Sequence, residues 1–534
     1  MNEDFKHNVQ NVKDGGIRLL KKGKRGIVRV IFGRTGLVLL LFFLQAGLLF
    51  SIFRWFVGLV PHLFGGAVLF TAIMVVYLLN SDLDNSAKIT WLVTIALVPV
   101  LGVVLFWWTK GEVGHRMLKK RLADLAQQTR ENLPQPMGAL EDLEATHSDA
   151  SGLAHYLRGK GGGFPVYEHT ALTYFPSGEA KFAELLRQLE QAQHYIFLEY
   201  FIIDEGLMWG KVLEILARKA AQGVDVRVMY DGTCEFTNLP RDYPQRLAKF
   251  NISCKVFSPL TPFVSTHYNY RDHRKIVVID GRVGFTGGVN LADEYINEVE
   301  KFGRWKDAAL MLEGEAVRSL TAQFLQMWGI AQEPEFADFL DQPIPVPAHP
   351  AGFAAPYGDC PLDGERVGEL VYIDLLNRAR KSIHIMTPYL ILDGELETAL
   401  KFAAERGVDV HLILPGVPDK KFPYALAKTH YAALLRSGVK ISEWVPGFVH
   451  AKVFVVDGRE AVVGTINLDY RSLYHHFEDA VWMADAPCIA AIEEDFQRTL
   501  TQCRTVEPTK KSIWQGRWML QLTGRLLKAI APLL

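Results

Sequence analysis

Cysteine is scarce in this sequence and never paired. The 534 residues hold five (Cys234, Cys254, Cys360, Cys488 and Cys503), scattered, odd in number and without a CxxC spacing. That pattern excludes a disulfide framework and a zinc knuckle, and the five read as buried thiols. An excess of charge is missing too: 58 Lys and Arg stand against 59 Asp and Glu, a formal net of -1. Nine of the basic residues crowd into positions 1–34 against Glu3, Asp4 and Asp14, so the leader carries +6 and the rest -7. A nucleic-acid reader spreads positive charge and stacking aromatics over its reading surface, and no such groove is evident beyond the leader. No cluster of His, Cys or carboxylates at metal-ligand spacing is evident either.

What the chain does have is apolar length. It is 49% hydrophobic and long enough for two or three cores. Three apolar runs crowd its first fifth: residues 36–53 (GLVLLLFFLQAGLLFSIF), 63–79 (LFGGAVLFTAIMVVYLL) and 89–108 (ITWLVTIALVPVLGVVLFWW). Each approaches the ~20 residues that cross a bilayer. Trp55, Tyr77, Trp91, Trp107 and Trp108 mark their ends, where amphipathic rings favour the headgroup zone. The basic leader is long for a signal peptide and two more runs follow the first, so membrane integration is expected.

Beyond residue 163 the pattern turns α/β. HYIFLEYFII (194–203) has strand length, MWGKVLEILARKAAQG (208–223) has helical spacing with a Gly stop, and VDVRVMYDG (224–232) alternates. The same order returns in SIHIMTPYLILDG (382–394), ELETALKFAAERG (395–407) and VDVHLILPG (408–416). QGVDVRV against RGVDVHL marks an internal duplication. The expected divisions are a basic leader (1–34), a transmembrane or re-entrant region (35–109) and a linker (110–163). Two α/β domains follow (164–332 and 358–505), joined by a proline-rich connector (333–357). The tail, 510–534, places Trp514, Trp518, Leu522, Leu526 and Ile530 at intervals of four among Lys510, Lys511, Arg517, Arg525 and Lys528. It reads as an amphipathic helix for an anionic lipid surface.

The chemistry lies in a motif that occurs twice. HRKIVVIDGRVGFTGGVN runs from His273 to Asn290, and HAKVFVVDGREAVVGTIN from His450 to Asn467. Both place Lys at +2, Asp at +7, Gly at +8 and +14, and Asn at +17 from the His. His and Lys two apart on a strand share a face, giving the pairs His273/Lys275 and His450/Lys452. Asp280 and Asp457 fall on the other parity at an Asp-Gly turn and read as structural. Asn290 and Asn467 return on the next segment, within reach of a phosphate. Phosphodiester exchange needs a nucleophile, an acid for the leaving alkoxide and positive donors around phosphoryl oxygens. Two imidazoles, two lysines and two asparagines supply all of them, with lysine in place of metal and no cofactor.

The doubled HxKxxxxD with its GxN extension resembles the phospholipase D superfamily. Residues 269–295 (NYRDHRKIVVIDGRVGFTGGVNLADEY) and 449–478 (VHAKVFVVDGREAVVGTINLDYRSLYHHFE) are similar to its bacterial cardiolipin synthase branch, as are the apolar N-terminal block and the basic tail. The resemblance implies two duplicated phospholipase D-like domains, each a mixed sheet flanked by helices. They would pack around a pseudo-twofold axis, after an N-terminal transmembrane helical region. It implies that His273, Lys275, Asp280, His450, Lys452 and Asp457 form the catalytic set, with His273 the nucleophile and His450 the acid and base. It implies that Glu478, in the second copy, orients a catalytic imidazole. Lys301 stands at the equivalent spacing in the first copy, so Asp307 is the expected carboxylate there. Gly288 and Thr465 replace a Ser that follows the motif Gly in many relatives. His476 replaces an Asn. His194 and His384, inside apolar strands, read as packed core residues.

The implied activity is cardiolipin synthesis from phosphatidylglycerol at the cell membrane, with the catalytic domain on the cytoplasmic face and no nucleic-acid partner. A hydrolase with the same intermediate and a tethered nuclease are the alternatives; two intact motifs speak against a scaffold. The leader and residues 110–121 are both rich in Lys and Arg, so both call for the cytoplasmic side. Three full crossings would separate them, which makes one run re-entrant or breaks the rule once.

Overall fold

The computed structural model describes residues 10–11, 16–19, 47, 51, 64–81, 83, 85–97, 102–103, 106–107, 115–259, 270–528 and 531. Two α/β halves dominate, each on one mixed sheet. The first has the strand order Thr170–Phe175, Ala309–Gly314, Val283–Gly287, Lys275–Ile279, Tyr195–Tyr200, Asp225–Asp231, Ile252–Phe257. The second repeats it as Phe353–Asp359, His476–Ala484, Glu460–Gly464, Val453–Val456, Ser382–Met386, Asp409–Pro415, Lys440–Trp444, with Cys503–Thr505 added at the edge. Tyr195–Tyr200 pairs in parallel with Asp225–Asp231 across the helix Leu207–Ala221. Ser382–Met386 and Asp409–Pro415 do the same across Gly394–Glu405. Every residue of Tyr195–Tyr200 is buried, which is why its sequence is an apolar run with little alternation.

Each motif strand ends in a tight hairpin. Asp280 and Gly281 have φ of 52° and 61°, and Asp457 and Gly458 have 54° and 68°, the left-handed pair that an Asp-Gly hairpin turn needs. The halves also interlock. Helix Val317–Trp328 of the first packs on strand Phe353–Asp359 of the second, and helix Cys488–Leu500 of the second packs on Thr170–Phe175 of the first.

The segment between the apolar block and the first half holds three helices, His115–Asn132, Ala139–Thr146 and Ser148–Arg158. Leu143, Leu153 and Leu157 bury in the shared core, so this stretch is a packed buttress, more ordered than a linker. The connector also contributes to the fold. Helix Phe336–Leu340 buries Phe336 and Leu340, and strand Phe353–Asp359 begins inside it. Pro356 is tolerated there because the strand is the edge of its sheet.

The apolar block departs from three straight spans. Its second run forms helix Phe64–Leu79, 16 residues, and the third contributes helix Asn85–Leu97, 13 residues. At 1.5 Å per residue these reach about 24 and 20 Å, short of a ~30 Å hydrocarbon core. A Cβ on Gly102 would lie 2.9 Å from the Ile95 Cα, and the Trp91 and Phe106 rings sit 5.3 Å apart. In one continuous helix Gly102 would stand about 10 Å along the axis from Ile95. The third run is therefore not a single helix. Among the described residues no helix is long and apolar enough to cross a membrane, and the first run lies almost wholly outside them.

Two ends of the chain return to the halves. In the leader, Ile17–Arg18 pairs with Gln10–Asn11, and Leu19 joins the core of the first half. The Leu19 amide donates to Glu205 at 3.0 Å and Arg246 donates to the Leu19 carbonyl at 2.9 Å. At the other end the expected single stripe is split. Helix Lys510–Trp514 buries Ile513 and Trp514, Gln515 and Gly516 turn through positive φ, and helix Trp518–Lys528 begins afresh. Gly524 of the second helix presses on the Ala425 carbonyl of helix Lys421–Arg436. Its other face leaves Trp518 and Leu526 69% and 66% exposed.

Candidate active site

The two histidines stand just ahead of the central strands Lys275–Ile279 and Val453–Val456, and each is held there by the opposite half. Arg271–Asp272 pairs in parallel with His476–Phe477, and the His273 amide donates to the Phe477 carbonyl at 2.9 Å. Reciprocally, Arg304–Lys306 pairs in parallel with Gly447–Val449, and the His450 amide donates to the Lys306 carbonyl at 2.7 Å. These paired crossings make a two-fold pattern in which neither imidazole is positioned by its own half alone.

The carboxylates cross over in the same way. His273 Nδ1 lies 2.9 and 2.8 Å from the two oxygens of Glu478, a residue of the second half. His450 Nδ1 lies 2.7 Å from Asp307 Oδ2, a residue of the first half. Both carboxylates named from the sequence are thus in the site. Their assignment by copy is corrected, because each serves the histidine of the other one. Glu478 is fixed by the hydroxyls of Thr465 and Ser472. Asp307 is fixed by the Trp305 indole at 3.3 Å and the Ala308 amide at 2.9 Å. A Cβ on Gly288 would collide with Asp307 Oδ1, so the short carboxylate fills the space that Thr465 occupies in the second half. The hydroxyl absent at Gly288 is kept at Thr465, where it orients Glu478.

All of these groups are buried, and burial sets their charge. It pushes His273 well below the ordinary histidine value, against the pull of Glu478. Burial, then Lys452, brings His450 down to about 4, with Asp307 opposing. Burial alone would raise Glu478 and Asp307, but the facing imidazoles override it and hold both below the usual carboxylate range. Burial also lowers Lys275 to about 8 and Lys452 to about 7. The resting site therefore holds neutral imidazoles with Nδ1–H on ionised carboxylates. A phosphodiester entering between the lysines would raise both lysines and His450 by its charge.

The lysines fold back on their own segments. Lys275 Nζ donates to the His273 carbonyl. Lys452 Nζ donates to the His450 carbonyl at 2.5 Å and stands 2.9 Å from the His450 Nε2. Asn290 accepts from the Ile202 amide at 3.0 Å and donates to the Tyr295 hydroxyl at 2.8 Å, so among the described residues one of its amide hydrogens is uncommitted. The Asn467 carbonyl oxygen is buried without a hydrogen bond among the described residues.

Asp280 and Asp457 are not in the site. Asp280 accepts from the amides of Gln193, His194 and Tyr195 at 2.8–2.9 Å. Asp457 accepts from Arg380, Lys381 and Ser382 at 2.7–2.9 Å. Each closes the far end of its motif strand, a whole strand length from the lysine. The motif's aspartates are turn anchors, as their parity indicates, and their place in the catalytic set is corrected. His194 is likewise not core: it stands exposed where Asp280 takes its amide. His384 is buried, stacked on Phe496 at 4.5 Å and paired with Glu493 at 2.8 Å.

Several contributors escaped the sequence reading. Asp479 accepts from the Thr286 hydroxyl and from the Lys275 amide at 3.3 Å, tying the halves behind the site. Phe201 packs edge-on to the His273 ring at 5.0 Å, and Tyr295 edge-on to His450 at 5.4 Å. His476, already marked in the sequence as the replacement of an Asn, lies with its ring 5.2 Å from that of His273 and its Nδ1 3.4 Å from Glu478 Oε1. His476 and Glu478 are two apart on one strand and so share a face.

Set on this duplicated fold, a pair of histidine–lysine motifs with crossed carboxylates marks an enzyme of the phospholipase D family. The family described as "Cardiolipin synthase, PLD-like domain" matches residues 185–328 and 372–500. The chain belongs to that family. It is 34% identical to a cardiolipin synthase of Geobacillus thermodenitrificans over 89% of this chain and 94% of the relative. An uncharacterized protein of Streptococcus mutans serotype c is 54% identical over 86% of this chain and 99% of its own length. Among solved structures, phosphatidylserine synthase of Haemophilus influenzae shares the fold, with a TM-score of 0.53 at 13% identity, covering 68% of this chain and 95% of that one.

Proposed function

We propose that this protein is a cardiolipin synthase that moves a phosphatidyl group from one phosphatidylglycerol to another through a phosphatidyl-histidine. The observation that carries the reading is that His273 and His450, each with its lysine beside it, are each presented on a carboxylate of the other half. In the first step Nε2 of His273 forms a bond to phosphorus, the phosphorus–oxygen bond to the headgroup glycerol breaks, and His450 gives that oxygen its proton. In the second, the terminal hydroxyl of another phosphatidylglycerol attacks, His450 takes its proton, and the phosphorus–nitrogen bond breaks. The lysines, with Asn467 and the remaining Asn290 hydrogen, hold the phosphoryl oxygens. Purified protein given phosphatidylglycerol alone should form cardiolipin and glycerol, identified by mass spectrometry. Phosphatidic acid alone would make it a hydrolase, and no lipid turnover would return the nuclease. Removing 518–534 should lower turnover on anionic vesicles more than on dispersed short-chain lipid, because Trp518, Met519, Leu522 and Leu526 are exposed beside Arg525 and Lys528. Equal losses would make the helix purely structural.

The enzyme is proposed to sit on the cytoplasmic membrane with leader and halves on one side. Docking of Ile17–Leu19 on the first half supports this, since the apolar block must then leave the bilayer on the side it entered. Both basic flanks then obey the positive-inside rule. Asn11→Cys and Asp124→Cys, each in the full chain, should resist an impermeant maleimide in intact cells and react after permeabilisation. Labelling of one alone in intact cells would separate the two flanks and sink the arrangement.

A further inference from the structure

The nucleophile's carboxylate is shared with a second imidazole. We infer that His273, His476 and Glu478 form a binding site for a zinc-class divalent ion, and that an ion bound there switches the enzyme off. This rests on His273 as the attacking residue.

The geometry is that of three ligands around one centre. His273 Nδ1 stands 2.8 Å from Glu478 Oε2, and His476 Nδ1 stands 3.4 Å from Glu478 Oε1. One donor atom from each of the three residues lies within 4.8 Å of the others. Ligand atoms at 2.0–2.1 Å from a tetrahedral zinc are roughly 3.3 Å apart, so small rotations of two rings complete the set. His476 Nδ1 is itself buried and makes no hydrogen bond among the described residues, although its side chain is only 10% exposed. A buried imidazole nitrogen whose nearest acceptor is a carboxylate oxygen 3.4 Å away, outside hydrogen-bond geometry, is poorly satisfied, and a shared ion would satisfy both groups. The outer shell is also in place: the Thr465 and Ser472 hydroxyls donate to the Glu478 oxygens and fix the carboxylate's orientation. Two nitrogens with one carboxylate select zinc or a neighbouring transition ion over magnesium or calcium, which favour oxygen.

Inhibition follows from the tautomer. In the resting site His273 keeps its proton on Nδ1, facing Glu478, and presents the Nε2 lone pair for attack. An ion on Nδ1 needs that nitrogen's lone pair, so the proton moves to Nε2. The imidazole stays neutral, nothing is oxidised or reduced, and the nitrogen that must attack phosphorus now carries hydrogen. Among the described residues His450 has no counterpart to this arrangement. Its carboxylate, Asp307, is shared with the Trp305 indole, which cannot ligate an ion. The device is thus confined to one half.

The test uses the full-length protein in detergent, first without lipid. Equilibrium dialysis with zinc should show one site that is lost in His273→Ala and weakened on the order of a hundredfold in His476→Asn, which removes one ligand of three. Cobalt(II) should report the same site by visible absorption. On phosphatidylglycerol, saturating zinc should suppress wild-type turnover and excess EDTA should restore it. His476→Asn, compared with its own metal-free rate, should resist zinc. Equal zinc binding by wild type and His476→Asn would overturn the site. Zinc bound at this site without loss of turnover would overturn the switch. Because binding is measured apart from activity, absence of lipid turnover would count against the enzymatic reading and leave the site decided on its own data.

Discussion

Incubated with a phosphatidyl donor, His273→Ala should form no covalent adduct, whereas His450→Ala should form one and keep it. The second outcome depends on the leaving group. Glycerol leaves as an alkoxide that needs a proton, so without His450 the first step on phosphatidylglycerol should slow by about 10²–10⁴. A donor with a p-nitrophenolate leaving group needs no such proton, and attack by His273 should proceed. The second step still needs a base for the incoming hydroxyl, so the adduct should accumulate. The two imidazoles are not equivalent at rest. Both lysines donate to the carbonyl of their own histidine, but Lys452 Nζ in addition stands 2.9 Å from the ring nitrogen His450 Nε2. A lysine against the ring nitrogen disfavours a second positive charge until a phosphodiester draws the lysine away. That suits a group that takes up its proton only with substrate present. Peptide mapping of the trapped species should place phosphorus on His273. Phosphorus on His450 would reverse the roles. No adduct in either variant, with both still active, would move the chemistry elsewhere.

How much of this was legible follows from what a periodicity can report. The motif strands, their Asp-Gly turns and the duplicated strand–helix–strand order are local patterns, and each reappears in the structure with its sequence neighbours. Parity alone separated Asp280 and Asp457 from the lysines, and the three amides each aspartate collects explain why that position is acidic. The carboxylates were legible as residues but not as partners. Spacing within one copy cannot say which of two similar histidines a side chain meets across an interface. The same limit hid the docking of Leu19 on the first half, made by one short segment 186 and 227 residues from its partners Glu205 and Arg246. In the tail, an interval of four from Trp514 to Ile530 suggested one helix. Gln515 at φ 51° and Gly516 at φ 75° break it, sending Trp514 inward and Trp518 outward. For the apolar block, hydropathy measures content and not continuity, so it missed the approach of Gly102 to Ile95.

Glu478→Gln should cripple the chemistry of His273, and Asp307→Asn that of His450, each across the boundary between halves. An amide in place of the carboxylate presents an N–H or a weaker oxygen to Nδ1. The imidazole then loses the tautomer that frees Nε2. Loss of an orienting carboxylate in a hydrolytic triad costs on the order of 10⁴ in rate by the same route. The sites differ in what remains. Glu478 receives two hydroxyls besides His273, so Gln can keep its placement while losing its charge. Asp307 sits against Gly288 with no room for a larger group, so Asn, of the same size, removes the charge with the least disturbance. Single-turnover measurements with the activated donor separate the steps. Glu478→Gln should slow adduct formation by about 10²–10⁴. Asp307→Asn should leave adduct formation with the activated donor near the wild-type rate and slow its breakdown instead. Melting temperatures of both variants exclude a general loss of fold. The reverse assignment, with Glu478→Gln sparing adduct formation and Asp307→Asn abolishing it, would mean that each half orients its own histidine during turnover. Near-equal losses in both steps for both variants would mean that the crossed carboxylates hold the two halves together and do not set the tautomers.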